Sequence, residues 1–66
     1  MEETNLARIR REKGFSQSGL SKAAGVNIRI IQHYEIRQRH INRAAVETVK
    51  KLADALSCNI EDIMEE

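Results

Sequence analysis

The sequence predicts an all-α fold built from five short helices. Three observations carry that expectation. The chain has no proline and three glycines, Gly14, Gly19 and Gly25, each near the end or start of a candidate helix. Nowhere do β-branched residues alternate with polar ones for the length of a strand. Apolar residues recur instead at spacings of three and four, most regularly at Val46, Val49, Leu52, Ala53 and Leu56. Because Phe15 and Tyr34 are the only aromatics, the core must be aliphatic. Sixty-six residues make one small domain, and 41% apolar content suits a compact core, not a disordered chain.

The first helix is predicted from about Thr4 or Asn5 to Lys13. Leu6, Ile9 and Lys13 share one face, and Arg8, Arg10 and Arg11 spread over the others. Gly14 is placed to end it as a left-handed cap, with basic residues in the last turn where the helix dipole favours them. Ser16 is the expected N-cap of a second helix running to about Ala24, with Leu20, Ala23 and Ala24 inward. Gly19 inside that helix costs roughly 1 kcal/mol relative to alanine. Close packing or close approach of a partner would each explain it. Gly25 and Val26 form a turn, and Asn27 caps a third helix whose Ile31 and Tyr34 point inward with Val26. Ile28, Arg29, Gln32 and His33 are then left on the opposite side.

A linker follows from about Ile36 to Ile41, carrying Arg37, Gln38, Arg39 and His40. The fourth helix is predicted over 42–57, starting at Asn42, with Val46, Val49, Leu52, Ala53 and Leu56 inward. Glu47, Lys50, Lys51 and Asp54 then face solvent. The fifth, over 59–65, is capped by Asn59 with Asp62 three residues on, as in a capping box, and turns Ile60 and Ile63 inward. Glu2, Glu3, Glu65 and Glu66 are expected to fray. Neither an internal repeat nor a domain boundary interrupts residues 1–66.

Composition narrows the function. Net charge is +1 overall, but residues 8 to 43 hold nine basic side chains against Glu12 and Glu35, a net of +7. The remainder holds Lys50 and Lys51 against eight acids, a net of −6. A basic front with an acidic tail points to a polyanionic partner. The single cysteine, Cys58, excludes an intramolecular disulfide and a cysteine-based zinc site. His33, His40 and Cys58 lack any ligand spacing, so no metal or cofactor is expected. No apolar run approaches 18 residues and no signal peptide fits, so a cytoplasmic protein without a membrane span is expected. No placed set of serine, histidine and acid, and no carboxylate pair in a cleft, supports catalysis. An enzyme is not expected.

Helix, tight turn and a second short helix with polar residues outward is the helix-turn-helix arrangement, here over residues 16–35. The stretch GFSQSGLSKAAGVNIRIIQHYE resembles the helix-turn-helix domains of the lambdoid phage repressors and Cro, the Xre family, through Gly14, Phe15, Ser16, Gln17, Leu20, Gly25, Val26, Ile31 and Glu35. Downstream, VETVKKLADALSCNIEDIME resembles the fourth and fifth helices of the same domain. The resemblance therefore covers nearly the whole chain and implies a compact, five-helix, repressor-like DNA-binding domain. Three features depart from the family pattern. Ser21 replaces a buried alanine, so its hydroxyl must find a backbone carbonyl. Arg37 replaces a frequent glycine after the third helix, so a right-handed or extended turn is expected there. The 36–45 segment is a few residues longer than the common form.

The resemblance implies that Asn27, Ile28, Arg29, Gln32 and His33 read bases in the major groove, which is about 12 Å wide and admits one helix. Arg29 suits the O6 and N7 of guanine, Gln32 and Asn27 suit adenine, and Ile28 suits thymine methyls; Ile30 suits either a methyl or the core. Phosphate contacts are expected from Arg10, Gln17, Arg37, Arg39 and Arg43, with amides at the start of the second helix adding donors. Glu35, the acid amid these bases, is expected to pair with Arg10. The resemblance implies that the partner is double-stranded DNA, bound by a homodimer as a transcriptional regulator, with a repressor on a two-fold symmetric operator as the expected role. The competing expectation is an antitoxin-type module that sequesters a protein such as a toxin. It would be marked by a second exposed apolar patch, for which Ile36 and Ile41 are the available residues.

Overall fold

Five helices form where capping residues and apolar spacing meet. The computed structural model describes residues 3–65, so Glu2 and Glu66 lie outside the described residues. Helix α1 spans Asn5–Glu12, α2 Gln17–Ala24, α3 Ile28–Glu35, α4 Val46–Ala55 and α5 Ile60–Ile63. A single 3-10 turn, Ile41–Arg43, precedes α4. Thr4 starts α1 by accepting from the Ala7 amide at 3.1 Å, and Ser16 starts α2 by accepting from the Gly19 amide at 2.9 Å. Asp62 accepts from the Asn59 amide at 2.9 Å, forming the expected contact at the start of α5.

Leu6, Leu20, Ile31, Leu52, Leu56 and Ile63 are fully buried, one from each helix and Leu56 just after α4. Each contributes about 1.5–3 kcal/mol through loss of apolar surface to water. Around them α2 packs on α3 and α4, α5 packs on α1 and α4, and α1 crosses α3. That leaves the outer side of α3 uncovered by any other helix of the bundle. Phe15, Ile30 and Ile60 pack partly buried against the core.

At Gly19 the room for a side chain is tight. A Cβ there would lie 3.1 Å from Ser16 Oγ, the atom that caps the Gly19 amide itself. A side chain would require the Ser16 hydroxyl to give by a few tenths of an ångström, as the cap beside Ala7 in α1 accommodates one.

Four helices end in one device. After α1, α2, α3 and α4, a residue in the left-handed region, respectively Gly14, Gly25, Arg37 and Ser57, turns the chain back. The amide of the following residue then bonds a carbonyl five positions earlier: Phe15 to Arg10, Val26 to Ser21, Gln38 to His33 and Cys58 to Ala53. The expectation of a right-handed or extended turn at Arg37 is therefore wrong: its φ is 61°. The chain must reverse sharply after α3 to bury Ile41, and these hydrogen bonds offset the strain of a non-glycine residue.

Other expectations shift at the edges. Ala23, expected to face inward, is exposed, and so is Lys13, which follows Leu6 and Ile9 along their face of α1. The fourth helix begins at Val46, not Asn42, and ends at Ala55; the fifth is the single turn Ile60–Ile63. Asn42 lies instead in the 3-10 turn ahead of α4, where its side chain bonds the backbone of Glu65. Val46, placed on the inward stripe by its spacing, is 74% exposed, since the first turn of α4 projects past the core. Glu3 and Glu65 are not frayed: Glu3 pairs with Arg11 at 3.1 Å, and Glu65 pairs with Arg37 at 2.7 Å.

Candidate nucleic-acid interface

The turn between α2 and α3 is closed from both sides by one residue. The carbonyl of Ser21 accepts from the amides of Gly25 and Val26, at 2.9 and 3.2 Å. Its hydroxyl donates to the Val26 carbonyl. The serine therefore finds its carbonyl across the turn rather than along its own helix. Gly25 supplies the left-handed conformation, φ 68°, and Val26 drops into the core. Asn27 then caps α3, its Oδ1 accepting from the Arg29 amide at 2.8 Å.

With Ile31 and Tyr34 buried, the other sides of α3 carry Ile28 and His33, half-buried, and Arg29 and Gln32, exposed. Asn27 is exposed at the helix start, although its amide oxygen is engaged as the cap. The structure thus groups on one element the five residues for which base contacts are expected.

Behind them runs a chain of polar contacts. Arg10 on α1 donates to Glu35 on α3 through Nε at 2.6 Å and a terminal nitrogen at 3.0 Å, a two-pronged pair. Its other terminal nitrogen donates to the Phe15 carbonyl at 2.8 Å. Gln17, first residue of α2, donates to the same Glu35 carboxylate at 2.9 Å. Gln32 reaches back to the Gln17 amide oxygen over a long 3.4 Å. Three helices are tied at one carboxylate. In this geometry Arg10 is a brace inside the domain, and Gln17 joins the brace to the outward row.

The remaining expected phosphate ligands come together elsewhere. Arg37, Arg39 and Arg43, with His40, line one open depression between the end of α3 and the start of α4. Its lining contains no acidic residue. Beside it, the residue that precedes α4 in the cap position is Ala45, which offers no side-chain cap. The first amides of α4 are therefore left without a side-chain partner at that cap, next to Arg43. A helix expected to start at Asn42 does not include this feature; the alanine before Val46 is its signal in the sequence.

Elsewhere, burial and nearby Asp62 push the Cys58 thiol up from its ordinary value, against a smaller opposing effect of Lys13. That is the opposite of what a reactive thiolate needs. Among the described residues no three histidine, cysteine or acidic side chains lie together as a metal site would require. No helix among them is long and apolar enough to cross a membrane.

Residues 5–65 match the model of the Cro/C1-type HTH DNA-binding domain. The chain belongs to that family. Among solved structures, it is similar to the N-terminal DNA-binding domain of SinR from Bacillus subtilis. The TM-score is 0.81 at 23% identity, over 92% of this chain and 86% of that one. It is also similar to the restriction-modification controller protein C.AhdI from Aeromonas hydrophila. Here the TM-score is 0.79 at 27% identity, over 91% and 86% of the two chains. No curated protein sequence matches it. As a member of that family the chain is a helix-turn-helix DNA-binding domain over residues 5–65.

Proposed function

We propose that this Cro/C1-type domain is a sequence-specific regulator that binds double-stranded DNA as a homodimer on a two-fold operator and represses transcription in the cytoplasm. One observation carries the reading: Asn27, Ile28, Arg29, Gln32 and His33 share the uncovered part of a helix that is braced from behind through Gln17 and Glu35. A rigid, outward polar row on one short helix suits the major groove. The depression lined by Arg37, Arg39 and Arg43 suits a phosphate of the flanking backbone, with the uncapped start of α4 adding amide donors.

A domain of this size touches few base pairs, which favours two copies on half-sites about 34 Å apart. Repression is the simpler sign, since a dimer covering an operator excludes other proteins from that DNA.

The reading as a protein-sequestering module draws on Ile36 and Val46, which are 66% and 74% exposed. Ile41, which would have joined Ile36 in an apolar patch, is buried. Two exposed large apolar side chains are ordinary for a protein surface, so DNA binding is the better supported reading.

The test is selection from random duplexes with purified protein at moderate salt. The expected product is a palindrome with half-sites about one turn apart. Retention without enrichment would remove sequence reading, and no retention would remove DNA binding.

A further inference from the structure

The segment that follows α5 is fastened to the basic linker by an unusually dense set of contacts. The Glu65 carboxylate accepts from the Asn5 amide at 2.8 Å and from the Arg37 guanidinium at 2.7 Å. The Glu65 backbone pairs reciprocally with the Asn42 side chain. Its amide donates to Asn42 Oδ1 at 2.9 Å, and its carbonyl accepts from Asn42 Nδ2. One residue earlier, the Met64 carbonyl accepts from the Asn5 side chain at 2.7 Å. Four parts of the chain meet here: the start of α1, the turn after α3, the 3-10 turn and the segment after α5.

The linker needs such fastening. Residues 36 to 40 are all exposed, so burial does not hold them, and Ile41 is their first anchor in the core. We infer that Glu65 and Asn42 are positioning residues for DNA binding: they clasp the linker so that Arg39 and Arg43 are held ready for phosphate. This rests on the DNA-binding reading above. Neither residue touches DNA in this role. Each removes freedom that the linker would otherwise lose on binding, which is the usual gain from preorganisation.

The clasp predicts opposite effects from two properties of Glu65. Its carboxylate offsets the positive charge of Arg37, so removing the charge favours DNA, while loosening the clasp disfavours it. The decisive variant is therefore Asn42→Ala, which changes no charge. Backbone hydrogen exchange without DNA is measured for residues 38–43 and for α4, alongside DNA affinity across a salt series. Exchange at 38–43 is expected to accelerate while α4 is unchanged. DNA affinity is expected to fall roughly threefold to tenfold, with the salt slope unaltered because no phosphate contact is removed. Glu65→Gln, which keeps the backbone pairing with Asn42, is expected to accelerate exchange at 38–43 less.

Unchanged exchange at 38–43 in both variants would overturn the clasp, as would equal acceleration in α4, which would mark general destabilisation. Local acceleration with full DNA affinity would overturn the positioning role. A wild-type protein that binds no DNA would overturn the reading above and the phosphate role with it, whereas the exchange comparison decides the clasp without DNA.

Discussion

Arg10 and Glu35 are 25 residues apart in the chain and 2.6 Å apart in space, joined where α1 crosses α3. Their side chains are 13% and 7% exposed, so neither charge is well solvated. The pair matters more for what its loss would leave behind than for what it adds over an apolar contact.

Replacing Glu35 with glutamine keeps the volume and strands the Arg10 charge. The expected loss of stability is about 2–4 kcal/mol, read from urea unfolding. DNA binding should weaken as well, because Gln17 and Gln32 lose their anchor. Tighter binding at an unchanged salt slope would show that Glu35 acts only as a repelling charge near DNA.

Arg29 is exposed in the first turn of α3. Arg29→Ala should relax preference at one base pair of each half-site by about 1–3 kcal/mol. Competition binding against single-position operator variants measures this. A uniform loss across all variants would reassign Arg29 to phosphate.

Ser57 adopts φ 54° after α4, in the position that glycine fills after α1 and α2. Ser57→Gly should raise stability by about 1 kcal/mol, since the left-handed strain goes and the side chain is exposed. Arg37→Gly should gain less, or lose, because the same strain is relieved at the expense of the Glu65 pair. Equal gains at both positions would mean that the Arg37–Glu65 pair contributes nothing.

Burial of Glu65 opposes its charge, but the Asn5 amide and the Arg37 guanidinium outweigh that, with His40 adding, and hold its carboxyl below the ordinary value. A lowered folded value means the contribution is complete above the ordinary carboxylate range and is lost as pH falls through the folded value. The stability difference between wild type and Glu65→Gln should therefore shrink on acidification. A difference that stays constant with pH would sink this assignment.

The helix-turn-helix was legible because its signals are local. Ser16, Gly25 and Asn27 cap and turn the chain through contacts within a few residues, and Leu20, Val26, Ile31 and Tyr34 follow from spacing. The Arg10–Glu35 pair was legible through resemblance, and its distances bear it out. The segment from Ile36 to Ala45 was not. Val46 has the right spacing for the core yet lies past its edge, and Arg37 lacks the glycine that usually announces a left-handed turn.

By itself, then, the sequence determined an all-α domain, the N-caps of α2, α3 and α5, most of its aliphatic core and the outward row of α3, because periodicity and capping are short-range properties of the chain. The tertiary structure alone decided where α4 begins, how the linker turns and that Glu65 meets Asn5, Arg37 and Asn42. Those contacts join residues up to 60 positions apart. No local pattern encodes them, since they exist only once α1, α3 and α5 have packed around a common core.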